Sequence, residues 1–394
     1  MVMSRRGILR AGMAGGAALL GGAVVGGRAG AAVAAVNPYP AGEDSTVVAL
    51  RRALDFAADN VEGPAGRDDK GRIIVRARPN HRHVLRATLI VPGNTFLDCT
   101  DARFVADFVT TGTARTMVLN RVPAATTGGY SAPGNIRIAG GSWDPTWHYL
   151  QGVTGDDFDT ARPAPAMNVI TMQHTSNVEL DGLTIYNVKW WHAIELNAVR
   201  NATVRNCRLH GWVHDPGQGL WHGEAVQLDL AGSGNTWAGA RDNTPCTDIR
   251  IVGNLCDTSG SKPGWGTLAG SHTAVDNVRH SRVWIESNTV RNTRWDAITP
   301  FNTELLYVRD NQITGCHGGV YVRGANSGVN PLTTVEITGN SVGPLTGTGR
   351  WGVGLAAYTE TAPLRDVLVS GNAAPSFRYN NERWIGFRQE PQRG

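Results

Sequence analysis

One polar residue returns at a fixed place in a recurring short segment. Asn254, Asn288, Asn311, Asn340 and Asn372 each stand three residues after a β-branched residue, within a stretch of alternating apolar positions. Their spacings are 34, 23, 29 and 32 residues. The segments that carry them are Asp248–Cys256, Arg282–Val290, Leu306–Ile313, Thr334–Val342 and Asp366–Ala374, and Asn135–Trp143, Asn177–Ile185 and Asn201–Leu209 share their form. Each reads as a short strand, a tight polar turn and a second short apolar piece. Such a unit must stack on its neighbours to bury its apolar face, which makes a solenoid. Asn suits the turn for two reasons: it tolerates left-handed backbone, and stacked amides hydrogen-bond from layer to layer. A β-sandwich with Asn-containing turns has no reason to keep one internal offset through so many segments.

A second strand accompanies these. Val169–Gln173, Ala193–Asn197, Ala225–Asp229, Ala297–Phe301 and Gly319–Arg323 superpose by their apolar positions. Alternate residues of a strand face opposite sides. Ile194 and Leu196, Val226 and Leu228, Ile298, and Val320 and Val322 are expected inside. Thr171 and Gln173, Glu195 and Asn197, Gln227 and Asp229, Thr299 and Phe301, and Tyr321 and Arg323 then form one outward column, polar, charged and aromatic. Ahead of the strands, residues 45–60 read as a helix. Ser45 or Thr46 would be its N-cap, and Val47, Leu50, Leu54 and Ala57 its apolar stripe. Such a helix would cover the open end of the solenoid core.

A leader, a helix and then strand layers with an Asn ladder resemble the right-handed parallel β-helix of the pectin-lyase-like superfamily. The resemblance covers about residues 37–380. It implies an all-β fold class, a right-handed parallel β-helix with an N-terminal capping helix. It leaves activity open, since the superfamily includes lyases, hydrolases, epimerases, esterases and phage tailspikes.

Residues 1–35 read as a twin-arginine signal peptide, and residues 36–394 as a single β-helix domain. Ser4-Arg5-Arg6-Gly7-Ile8-Leu9 precedes an Ala/Gly-rich, mildly apolar stretch, and Ala32-Val33-Ala34 fits a small-x-small cleavage site. The mature chain is expected outside the cytoplasm, without a membrane span. The leader also accounts for the charge. It holds four of the 37 basic residues and no acid, so the rest carries 33 basic and 33 acidic residues. A nucleic-acid binder should show a basic surplus, and no such partner is expected. The five cysteines, Cys99, Cys207, Cys246, Cys256 and Cys316, lack a CxxC pair, so no zinc site is expected. Export of an already folded chain favours buried thiols, with a Cys246–Cys256 bridge left open.

The chemistry concentrates in Trp221-His-Gly-Glu-Ala-Val-Gln-Leu-Asp229. Glu224 opens this strand, and Gln227 and Asp229 point outward from it. His192, Glu195 and Asn197 hold the corresponding positions one layer earlier, and Asp296, Thr299 and Phe301 hold them two layers later. Layers about 4.8 Å apart bring Glu195, Glu224 and Asp229 into one carboxylate cluster. Glycoside cleavage uses such a cluster, one carboxylic acid protonating the leaving oxygen and another activating water or attacking the sugar. Asp229 or Glu224 is the expected general acid, with the other, or Glu195, as base or nucleophile. His272 is the fourth catalytic candidate. His222, Gln227, Asn197, His192, Arg323, Trp221 and Asp296 are the expected substrate-binding residues. Polygalacturonase-like enzymes place acidic residues on two layers, then a Gly-His-Gly histidine, then an Arg-x-Lys pair, and the resemblance implies those roles for Asp229, His272 and Arg323. The chain departs from that pattern: Ser271 and Thr273 flank the histidine, and no Lys follows Arg323.

Twelve Trp against eight Phe is a further sign of sugar binding. Trp143, Trp147, Trp190, Trp191, Trp212, Trp221, Trp265 and Trp295 all lie in or beside turns near the column. The expected partner is a polysaccharide or oligosaccharide, and the expected activity is glycoside hydrolysis without a cofactor. A lyase acting on a uronate polymer is the second reading, with Ca²⁺ held by Glu195, Asn197 and Asp229. A non-catalytic carbohydrate-binding surface protein is the third.

Overall fold

Short alternating strands hide their apolar face only by stacking, and this chain stacks them in three parallel sheets. The computed structural model describes residues 39–108, 116–147, 166–232, 238–324, 333–356, 365–380 and 388–392. The expected leader lies outside the described residues. Among the described residues, sheets A, B and C contain eleven, nine and ten strands, each paired in parallel with strands one circuit away. One circuit runs Arg200–Arg205 in sheet A, Arg208–Val213 in sheet B and Glu224–Asp229 in sheet C. The next runs Thr247–Val252, Leu255–Asp257 and Thr267–Gly270, and the one after it His280–Glu286, Thr289–Arg291 and Asp296–Thr299. This is a right-handed parallel β-helix. Among the described residues, no helix is long and apolar enough to cross a membrane.

The core sits inside the coil, in columns that follow the strand register. In sheet C, Ile170, Ile194, Val226, Ala269, Ile298, Val320 and Val353 stand one above another. All are buried, as period two requires. Each large apolar side chain buried this way contributes about 1.5–3 kcal/mol. The helix α1, Ser45–Ala58, caps the first circuit and buries Val47, Leu50, Leu54 and Ala57. Its N-cap is Asp44, whose Oδ1 accepts from the Thr46 backbone N–H at 2.7 Å, so neither Ser45 nor Thr46 has that role.

The Asn ladder is present at the corner between sheets A and B. Asn288 donates from its backbone N–H and its Nδ2 to Asn311 Oδ1 at 3.0 and 2.9 Å, and Asn311 does the same to Asn340 at 3.0 and 2.8 Å. Asn254 and Asn340 repeat the pattern toward Asn288 and Asn372. Each Nδ2 also donates to a backbone carbonyl of the preceding circuit, from Val204 for Asn254 to Ile337 for Asn372. The ladder extends past the predicted stretch. Cys207 donates its N–H to Asn254 at one end, and Gln392 accepts from Asn372 at the other. The left-handed residue is the one before each ladder Asn: Gly253, Ser287, Asp310, Gly339 and Gly371, with φ of 67, 56, 54, 69 and 62°. The ladder Asn therefore contributes hydrogen bonds, and its neighbour supplies the backbone turn. All five cysteines are free and buried, so Cys246 and Cys256 form no bridge.

Candidate active site

The outer face of sheet C assembles the predicted polar column in the predicted register. Thr171, Glu195, Gln227, Gly270 and Thr299 align, and so do Gln173, Asn197 and Asp229. The pairing ends at Gln227 with Gly270, and just beyond it His272 lies against Glu224 and Gln227. A third row runs along the strand starts: Glu224, Thr267, Asp296 and Gly318. His192 stands in this row one circuit before Glu224, and its backbone N–H donates to Asn168 Oδ1 at 2.9 Å.

The column is not the open, solvated face that outward parity suggested. Glu195, Glu224, Asp229 and Asp296 are each only 1 % exposed, and Asn197 and Gln227 are buried beside them. Parity decides which side of a strand a residue faces; what lies over that side is decided by other parts of the chain. His272, His222, Trp221 and Arg323 are partly exposed and form the accessible rim.

Glu224 is the centre of the contacts. His272 Nδ1 lies 2.9 Å from Glu224 Oε1, and His192 Nδ1 lies 3.7 Å from Oε2 and 2.8 Å from the Glu224 carbonyl. Glu224 Oε2 receives no hydrogen bond from the protein. Gly270 leaves room for the Glu224 side chain, because a Cβ there would stand 2.7 Å from Thr299 Oγ1 and 3.1 Å from Glu224 Cγ. Burial opposes the Glu224 charge, yet His272 and its hydrogen bond hold the carboxyl below its ordinary pKa. Burial likewise opposes the His272 charge, but Glu224, with Asp229 and Glu195 behind it, raises that pKa to about 9. Burial pushes His192 and His222 down to about 4, and the His272 cation adds to this. At neutral pH the three rings therefore hold one positive charge, on His272, against Glu224. Trp221 stacks on His222 at 3.8 Å and meets His272 edge-on at 5.8 Å.

Asp229 and Glu195 sit differently. Asp229 Oδ1 accepts from the Leu230 N–H at 2.9 Å and from Thr273 Oγ1, and Oδ2 accepts from Gln227 Nε2 at 3.0 Å. Glu195 accepts from Asn168 Nδ2 on one oxygen and from Asn197 Nδ2, at 3.4 Å, on the other. These donors are all neutral. Asn168 and Thr273 were not anticipated, although Asn168 occupies the start of its strand one circuit before His192. Among the described residues, no group of three or more His, Cys, Asp or Glu side chains is placed to hold a metal ion.

Toward the C-terminal side the face changes character. Asp296 Oδ2 accepts no hydrogen bond, and its nearest cation is Arg350, at 3.5 Å. Burial lifts the Asp296 pKa to about 6, against the opposing pull of Arg350 and Arg323. Arg350 Cζ lies over Trp295, 3.7 Å from the ring centre, and Arg323 Cζ lies 5.1 Å over Phe301. Arg350 comes from a turn that carries no repeat signature, so the sequence offered no sign of it.

The tryptophans divide. Trp143, Trp212 and Trp265 are core residues, 0, 1 and 0 % exposed, and cannot offer a face to a sugar. Trp143 stacks on Phe104 at 4.0 Å, and Trp212 packs 6.4 Å from Trp265. They fill the inside of the coil, where a bulky ring buries more area than an aliphatic chain. Trp190, Trp191, Trp221 and Trp295 keep partial exposure near the column.

No protein-family model and no curated protein matches this chain. Solved structures do match, at low identity. The surface adhesin PfbA of Streptococcus pneumoniae superposes with a TM-score of 0.68 at 15 % identity, over 88 % of this chain and 79 % of that one. A second PfbA structure gives 0.55 at 11 % identity, over 91 % and 98 %. A double-mutant tailspike protein of E. coli bacteriophage HK620 gives 0.51 at 15 % identity, over 86 % of this chain and 54 % of the tailspike. These similarities support the parallel β-helix fold.

Proposed function

We propose that the chain is a glycoside hydrolase that cleaves a polysaccharide at Glu224 on the outer face of sheet C. One observation carries this reading. Glu224 is a buried carboxylate held ionised by His272, and it keeps Oε2 unbonded to the protein. A structural carboxylate in the same place would have both oxygens occupied, as Asp229 and Glu195 do. An ionised carboxylate with a free lone pair accepts a proton from water as that water attacks an anomeric carbon. His272, fixed against Glu224 and 3.2 Å from Gln227 Nε2, orients the carboxylate and neutralises its charge at rest. Asp229, Glu195 and Asn197 hold the face rigid. Trp221, His222, Gln227, His192 and Arg323 line the approach and contact the sugar.

Digestion of a glycan panel, followed by mass spectrometry, tests this. Hydrolysis yields products that gain one water at each cut. Products lacking that water and absorbing in the near ultraviolet would establish the lyase instead, and binding without cleavage would establish a lectin-like role.

Export belongs to the same proposal, since a polysaccharide substrate lies outside the cell. Arg5→Lys with Arg6→Lys should retain the chain in the cytoplasm, and normal secretion of that variant would remove the twin-arginine assignment.

A further inference from the structure

We propose that Asp296 is the proton donor of this site and the partner of Glu224 in the cleavage. The assignment rests on the hydrolase reading above and goes beyond it, since Asp296 was expected only to bind substrate.

Three observations place it. Asp296 shares a row with Glu224: Glu224 pairs with Thr267, and the Ala269–Ile298 register sets Thr267 beside Asp296. Two layers separate their backbones, about 10 Å at the usual strand spacing. Second, Asp296 is 1 % exposed and its Oδ2 accepts no hydrogen bond. A purely structural aspartate buried this deeply would be paired or neutralised by donors. Arg350 does not fork onto it: the guanidinium lies on Trp295 at 3.7 Å and reaches Oδ2 with one nitrogen at 3.5 Å. Third, the next layer leaves room for this carboxyl, because a Cβ on Gly318 would stand 1.8 Å from Asp296 Oδ1.

The two carboxyl groups then have opposite protonation preferences. Glu224 is held ionised by a cation, and Asp296 is held toward its acid form by burial, with Arg350 and Arg323 the charged groups that oppose this. Such a split assigns the base and the acid. In the reaction, Glu224 takes a proton from water as the water oxygen bonds to the anomeric carbon. The glycosidic C–O bond breaks, its electron pair stays on the leaving oxygen, and that oxygen takes the proton of Asp296. One water is consumed, and solvent carries the proton from Glu224 back to Asp296. Carboxyl groups about 6.5–9.5 Å apart leave room for this water and give inversion, whereas about 5–5.5 Å gives a covalent intermediate and retention. A two-layer offset is closer to the first spacing than to the second.

Asp296→Asn is the test, on the glycan that the panel identifies and on a 2,4-dinitrophenyl glycoside of the released sugar, whose leaving group needs no acid. The variant should melt as wild type and lose about 10²–10⁴ in rate on the glycan. It should stay within about tenfold of wild type on the aryl glycoside, as expected when only acid assistance is removed. The wild-type rate should fall as pH rises through about 6, and this limb should vanish in the variant. Wild-type products should show inverted anomers by proton NMR. An unimpaired variant, an equal loss on both substrates, or retention would overturn the assignment while leaving the hydrolase reading intact. A wild-type chain that hydrolyses nothing in the panel overturns both.

Discussion

Asn311 and Glu224 are both buried polar residues in the same stack of parallel strands, and the protein treats them in opposite ways. Asn311 Oδ1 accepts from the N–H and the Nδ2 of Asn288, and its Nδ2 donates to Ile285 and Asn340. Every layer of the ladder repeats this closed pattern, ending on Gln392. Glu224 shares one oxygen with His272 and leaves the other without a hydrogen bond, and Asp296 in the same row does likewise with Oδ2. The A–B corner is polar scaffold, each group paired to the next layer. The start of sheet C buries carboxylates incompletely, at a cost of about 1–3 kcal/mol for each unmet buried group. A fold tolerates that cost where the unmet group has a task. Asp229 and Glu195 lie on sheet C yet resemble Asn311 in this respect, which sets them apart from Glu224 and Asp296, the two carboxylates proposed to react.

The comparison breaks most visibly at Glu224. Glu224→Gln should cut turnover by about 10²–10⁴ and leave the melting temperature near that of wild type. Near-normal turnover in a normally melting variant would make Glu224 another structural carboxylate. Asn311→Leu should do the reverse. It strands the Asn288 backbone N–H and takes one donor from the Ile285 carbonyl, while Asn340 Oδ1 keeps the residue 311 backbone N–H, so stability should fall by about 1–3 kcal/mol. Denaturant unfolding would read this, and turnover per folded molecule should hold; stability equal to wild type would show that the ladder is not a stabilising element.

A smaller effect sharpens the electrostatics. The folded pKa of His272 is about 9, above the ordinary 6.5 of an unfolded histidine. Between those values the folded chain binds one more proton than the unfolded chain, so stability falls as pH rises. The contribution is complete below about pH 6.5 and gone once pH has passed through about 9. Melting curves between pH 6.5 and 8.5 should show this decline in wild type and a flatter profile in His272→Gln. Identical slopes would mean that Glu224 and His272 are not a charged pair.

Much of this was legible in the chain. The segment repeat implied stacked layers, and alternation within Ala193–Asn197 and Ala225–Asp229 correctly sorted Ile194, Leu196, Val226 and Leu228 to the inside. Registers between short strands followed from the same alternation, because a slip of one residue would turn every apolar side chain outward. The Asn offset located the ladder, although it assigned the left-handed turn to the Asn instead of the residue before it. Trp143, Trp212 and Trp265 were misplaced because turn proximity in sequence does not tell whether a ring points into the coil.

Periodicity is local, so the sequence by itself determined the fold class, the inward columns and the adjacent rows that hold Glu195, Asp229 and the pair Glu224 and Asp296. Which of those carboxylates were saturated and which left open was decided only in three dimensions. The donors come from distant circuits: Asn168 for Glu195, Thr273 for Asp229, His272 for Glu224, and a turn bearing Arg350 beside Asp296. The carboxylates look alike along the chain, and these neighbours that tell them apart stand 27 to 54 residues away. That information exists only once the coil has closed.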